Sequence, residues 1–277
     1  QGLILLTGTD LSVGRMVGLG MVTATIIMHN GINTGGVFGH IFDFTGIPAP
    51  ARAILALFVC VLLTTTFASI AGFFMARFKM HPFISTMANM LIIFGLVTYA
   101  TKGVSFGAID SSIPAMFIPR IGKFPTIILW AVVAVIVVWF IWNKTTFGKN
   151  MFAVGSNPEA ANVSGVNVMR TTILVHTLAG CMYGITGFIE SARIGSNQAN
   201  TGLNYECDAI AACVIGGVSF VGGTGKISGV VLGVFILRII FVALQFLAVS
   251  QNMQYVIKGL IILIACAIDM RKYLVRK

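Results

Sequence analysis

Long apolar runs alternate with short polar breaks along this chain, and most runs have the length of a bilayer crossing. Ala53–Ala76, Phe83–Ala100, Pro125–Trp142, Thr172–Ile189 and Ile227–Val249 each approach or exceed the roughly 20 mostly apolar residues of a tilted spanning helix. Val256–Ile268 adds a last apolar segment. Two stretches depart from this rhythm. Gln1–Leu6 reads as the tail of a span, and it is divided from the apolar Val17–Met28 by Thr7–Arg15, which carries glycines, Asp10 and Arg15. A polar break at membrane depth is tolerated where it is buried in protein or lines a cavity, so Asp10 and Arg15 are expected to face a pathway or each other. An aqueous loop between two short segments is the other reading. Ala209–Val221 is apolar but only about half to two-thirds of a span. The breaks His29–Arg52 and Thr101–Phe124 are rich in turn residues, and Trp142 is placed for an interfacial aromatic belt.

One polar break is longer and better organised than the rest, Asn143–Arg170. Within it, Asn157 can cap a helix start by accepting an orphan backbone N–H. Pro158 suits the first helical position, Glu159 sets a negative charge at the positive end of the helix dipole, and Gly165 can take the left-handed conformation that ends a helix. The pattern predicts a helix of about two turns, Pro158–Ser164, with a surface of small residues, Ala160 and Ala161. So short a helix has little stability alone and needs something to dock against. An ordinary loop with a capped turn reads as well from the capping residues alone.

Composition turns this pattern into a class. The chain is 57% hydrophobic and 9% charged, with a mean hydropathy of +0.96, against about 25% charged residues in soluble domains. It is an integral membrane protein, expected to be an all-α polytopic transmembrane helical bundle. The 31 glycines suit close helix packing in lipid. The net charge of +10 is spread between apolar segments, so it reads as an orientation signal and not a nucleic-acid footprint. Arg77, Lys79, Lys144, Lys149, Arg170, Lys226 and the basic C-terminus fall on one side if Ala209–Val221 crosses, and that side is then cytoplasmic.

Catalytic chemistry is scarce. Gly222–Lys226 (GGTGK) fails the phosphate-loop pattern at Phe220 and Ile227 and reads as a tight turn between close helices. The cysteines show no CxxC spacing, the histidines no metal-ligand spacing, and there is no paired-carboxylate or nucleophile motif. What remains are charges near or within spans. Glu190 and Arg193 lie one turn apart and suit an ion pair on a helix face. Glu206 and Asp208 open the short apolar segment. Arg238 stands near mid-span, where it should face the bundle or a cavity.

Four stretches resemble a known family: Thr7–Gly14 (TGTDLSVG), Phe147–Val168 (FGKNMFAVGSNPEAANVSGVNV), Tyr205–Gly225 (YECDAIAACVIGGVSFVGGTG) and Gln254–Gly259 (QYVIKG). In order and spacing they are similar to the permease subunits of bacterial ABC sugar importers of the ribose, galactose and autoinducer-2 type. Trp142–Asn150 and Asp208–Phe220 point to the galactose/methyl-galactoside branch. The resemblance implies that 143–171 is the cytoplasmic coupling loop of a single permease domain, 1–277, with N-terminal helices expected outside it. Asn157, Glu159, Ala160, Ala161 and Gly165 would then couple to the ATPase. It implies a homodimer working with a cytoplasmic ABC ATPase and a periplasmic or extracellular sugar-binding protein in the bacterial inner membrane, with the C-terminus cytoplasmic. No cofactor is expected on this chain, ATP and Mg being held by the ATPase. Asp10, Ser12, Arg15 and Asp208 are the candidate translocation-pathway residues. Ser156 departs from the family's usual Gly, and Arg238 stands where neutral residues are the rule. An ion-coupled secondary carrier and a polytopic membrane enzyme are the alternatives from other classes.

Overall fold

The computed structural model describes residues 2–5, 8–29, 31 and 44–274. Most of the expected loop His29–Arg52 lies outside them. In chain order the elements are α1 (Gly2–Leu5), α2 (Val13–Met28), α3 (Ala49–Phe78), α4 (Pro82–Thr101), α5 (Ser112–Phe117), the paired β1 (Arg120–Ile121) and β2 (Phe124–Pro125), α6 (Ile127–Lys144), α7 (Thr146–Ser156), α8 (Pro158–Val163), α9 (Val168–Ile194), α10 (Tyr205–Ile215), α11 (Ile227–Phe246) and α12 (Gln251–Leu274). The all-α bundle is thus as expected, with one antiparallel two-residue pairing among the described residues. Six helices, α3, α4, α6, α9, α11 and α12, are long and apolar enough to cross a membrane.

Several boundaries differ from the pattern. The break after α1 is real, but α2 resumes at Val13, and its 16 residues reach only about 24 Å. α9 runs on to Ile194, so Glu190 and Arg193 lie on its last turns. Their ion pair forms there, with Arg193 Nε donating to Glu190 Oε2 at 3.0 Å. The short apolar segment Ala209–Val221 is not helical throughout: α10 ends at Ile215 after 11 residues, about 17 Å. Gly217 then takes a φ of +80°, which stops the helix, and the chain turns. By itself α10 is shorter than a bilayer crossing. α12 is longer than Val256–Ile268 at both ends.

The chain divides into two compact units. One comprises Leu11–Val137 and Ile173–Leu203. Its core joins Ala24, Ile27 and Met28 of α2 to Ala53, Ala56 and Cys60 of α3, with Ile113 and Phe188. α9 enters through glycines. A Cβ on Gly180 would sit 2.7 Å from Thr65 Cα, one on Gly184 2.6 Å from Val61 Cα, and one on Gly187 2.8 Å from Gly20 Cα. Backbones therefore touch, as small residues permit where lipid provides no hydrophobic drive between helices. Thr64 Oγ1 donates to Gly180 O at 2.8 Å across the α3–α9 contact. Arg52, expected in a loop, lies on the first turn of α3. It is buried, bonded to Asp110 Oδ2 at 2.6 Å and His29 O at 2.7 Å.

The other unit comprises Gln1–Asp10, Val138–Thr172 and Asn204–Lys277. Ala211, Leu237 and Phe241 form its α10–α11 core, and Gly216 meets Gly229 backbone to backbone. Trp142 is 6% exposed, its ring filling the space beside Gly2; it is a packing residue and not the belt residue expected. Arg238 is exposed on the outer face of α11, beside Phe235, Ile239, Val242 and Phe246. It does not face this unit's core, because the inward positions of that helix are taken by Gly233, Leu237 and Phe241.

Candidate functional site

The polar island folds into a helix–turn–helix connection built from local bonds. Thr145 caps α7 by accepting from Gly148 N at 3.3 Å, and Met151 and Val154 turn its apolar side inward. Asn157 closes α7 and opens α8 at once. Its N–H donates to Ala153 O at 3.1 Å. Its side-chain Oδ1 accepts from Glu159 N and Ala160 N, each at 3.0 Å. The backbone there is extended, φ −160° and ψ 104°, as a helix N-cap requires.

The far end is closed as firmly. Gly165 has a φ of +86°, Gly165 N donates to Asn162 O and Val166 N to Ala161 O, both at 3.0 Å. This pair of bonds is the Schellman arrangement, which satisfies the last carbonyls of a helix. Two residues on, Asn167 Oδ1 accepts from Arg170 N at 2.8 Å and caps α9. α8 is therefore a six-residue helix with both ends satisfied. Ala161 is its one buried residue; Asn157, Glu159 and Ala160 are exposed, and Val163 is 89% exposed. Val163 thus projects from a short helix whose two ends are both closed by hydrogen bonds.

All five coupling residues singled out in the sequence thus lie on or bound this one element. α7 was missed; Thr145 before an amphipathic stretch was the available signal.

The four pathway candidates are less uniform. Asp10 is buried, as is Ser12, whose Oγ accepts from Asn89 Nδ2 at 3.2 Å. Arg15 Nη1 donates to Ala199 O at 3.1 Å, with its guanidinium over the Phe94 ring at 4.4 Å. Asp208 pairs with Lys258 Nζ at 2.5 Å. Lys258 also stands over Phe241 at 5.1 Å and Tyr255 at 5.7 Å, so its charge is compensated on several sides. Lys258 lies within QYVIKG, and nothing local marks its role, because pairing across 50 residues leaves no local pattern. A cavity of about 600 Å³ lined by Leu19, Val22, Ile26, Val59, Leu96 and neighbours is mostly apolar, with Thr23 and Tyr99 its polar side chains, few for the orientation of a sugar.

Residues 3–266 match the family model described as branched-chain amino acid transport system / permease component. The whole chain aligns with the galactose/methyl galactoside import permease protein of Treponema pallidum at 48% identity, covering 54% of that protein. It aligns over its whole length with the protein of the same name from Escherichia coli K12 at 42%, covering 82% of it. The ribose import permease protein of Bacillus subtilis is 32% identical over 97% of this chain and 78% of that protein. The chain thus spans about half of the first relative and most of the others. No solved structure gives a significant match.

Proposed function

The chain belongs to the permease-component family of branched-chain amino acid transport systems, and on that premise we propose that it is the membrane permease subunit of an ATP-driven sugar importer. The cargo is galactose or methyl galactoside, the substrates that name its relatives at 42–48% identity. It works as a homodimer in the bacterial inner membrane, with its C-terminus cytoplasmic. A sugar-binding protein delivers the cargo outside, and a separate ABC ATPase carries ATP and Mg inside. It is a transport subunit and catalyses no reaction of its own.

The observation that carries this reading is α8, exposed, closed at both ends and too short to have a purpose of its own. Asn157, Glu159, Ala160, Ala161 and Gly165 form the element that docks on the ATPase. ATP binding closes the ATPase, α8 moves with it, and the bundle changes the side to which its pathway opens. The drive is the difference in ATP affinity between the two states. Asp10, Ser12, Arg15 and Asp208 line or support that pathway. The contacts of Ser12 to Asn89, of Arg15 to Ala199 and of Asp208 to Lys258 support this reading.

The test is capture of the ATPase by the detergent-solubilised chain with and without Glu159→Lys. The Glu159 side chain is exposed and makes neither cap bond, so reversing its charge alters the contact surface more than the fold. Loss of capture is expected. Capture unchanged by the substitution would place docking elsewhere, and no capture by either chain would remove the ABC reading.

A further inference from the structure

The turn between α10 and α11 is outside the role described so far, yet it is tightly built. Ser219 N donates to Thr224 O at 2.9 Å and Gly222 N to Ser219 O at 3.2 Å, folding Ser219–Thr224 on itself. Val218 and Ser219 at its base are almost wholly buried. One side of the turn is held by α12: Asp269, 9% exposed, accepts from Phe220 N at 2.9 Å through Oδ2. Ser219 Oγ approaches the same oxygen at 3.4 Å. The other side meets the end of α7. Gly223 has a φ of +70°, and a Cβ there would fall 2.3 Å from Ser156 Oγ and 2.8 Å from Ser156 Cα. Ser156 immediately precedes Asn157, the cap of α8.

We propose that this turn is a strut between α12 and the coupling helix, with Asp269 its positioning residue. This rests on α8 being the docking element. A buried carboxylate is costly unless its charge is answered by donors, and a backbone N–H donating to a charged acceptor makes a bond stronger than a neutral one. Asp269 thereby fixes the turn to α12. At the opposite end Gly223 brings only backbone against Ser156, whose Oγ is itself held by donating to Phe152 O at 2.9 Å. Displacement of α8 is then passed to α12 as displacement and is not lost in rotamer changes.

A contiguous contact path alone does not establish coupling, so the readout is sugar moved per ATP hydrolysed. The full-length chain is assembled in proteoliposomes with its ATPase and sugar-binding protein, and uptake and hydrolysis are measured together. Asp269→Ala is expected to lower the ratio at least fivefold while the ATPase is still captured. Asp269→Asn keeps a carbonyl oxygen for Phe220 N and should stay within twofold of the original. Gly223→Ala disturbs the other end with Asp269 intact and should lower the ratio as well. A purely structural role lowers uptake and hydrolysis together. An unchanged ratio in both alanine variants, or failure of both to assemble, overturns the strut; if one assembles, its ratio decides. Glu159→Lys separates the two readings. If capture survives it, the docking reading fails; if capture is lost while the alanine ratios hold, only the strut fails.

Discussion

Replacing Asn157 with Ala removes one side chain and both hydrogen bonds that close the N-terminus of α8. Glu159 N and Ala160 N, each 3.0 Å from Asn157 Oδ1, lose their protein acceptor but sit in an exposed stretch, where water replaces it. The cost is therefore that of an N-cap, about 1 kcal/mol, and not that of a buried orphan donor. α8 has few means of absorbing that loss. It is six residues long with one buried side chain, Ala161, and a helix of this length has no intrinsic stability. One kcal/mol is roughly a fivefold change in an equilibrium constant, so opening of α8 should become about fivefold more frequent. Amide hydrogen exchange reads this directly. Ala161, Ser164 and Val166, whose N–H groups bond to Asn157 O, Ala160 O and Ala161 O, should exchange about fivefold faster in Asn157→Ala. Amides in α11 should not change. Asn157→Asp keeps the acceptor and adds a favourable charge at the helix N-terminus, so its exchange should match the original. ATPase capture should weaken by up to the same factor of about five, because only the folded element binds. Unaltered exchange and capture in Asn157→Ala would refute the claim that the cap holds the element.

Gly165→Ala forces a left-handed residue with a Cβ at φ +86°; it should cost about 1 kcal/mol and speed exchange at Gly165–Val166, with Gly165→Asn milder. The Asp110 carboxyl lies below its ordinary range, held there first by the Ser112 hydroxyl and N–H and then by Arg52. The stability this gives is present above the ordinary carboxylate value near about pH 4 and is lost as pH falls further through the folded value. Thermal unfolding between pH 5 and 3 should show the loss, and Asp110→Asn should flatten that part of the profile. Asp208→Asn should lower thermal stability by leaving Lys258, 14% exposed, short of a counter-charge. Adding Lys258→Met should recover most of the loss, since it removes the charge left without its partner. Recovery absent from the double variant would mean the two charges do not act as a pair. Asp10→Ala should reduce sugar uptake while assembly with the ATPase is retained; unchanged uptake removes Asp10 from the pathway.

The features legible in the sequence were those written locally. The six long helices follow from runs of apolar residues, and α8 follows from Asn157, Pro158 and Gly165 within nine positions, each of which acts on its own neighbours. What escaped was set by distant partners or by competing signals. α7 was hidden because Thr146, Lys149 and Asn150 break the apolar run that marks a span, although Met151 and Val154 are buried. The end of α10 was hidden because Val218–Val221 is as apolar as what precedes it. Only the glycine at 217, turning left-handed, decides that the helix stops. Arg52 read as a loop charge, since nothing near it announces Asp110 as its partner. Lys258 drew no interest for the same reason.

The glycines of α9 bear on thermodynamics as well as on distance. A side chain packed between helices gives up rotamers, at a cost of up to about 2 kcal/mol for the longest, whereas glycine and alanine give up none. At Gly180, Gly184 and Gly187, facing Thr65, Val61 and Gly20, α9 associates with its neighbours through atoms whose side-chain freedom was already nil. In lipid, where burying apolar surface against protein gains little over burying it in hydrocarbon, a contact so sparing of entropy leaves dispersion forces almost unopposed. Its strength should therefore decline less with rising temperature than that of a leucine-packed seam of equal area.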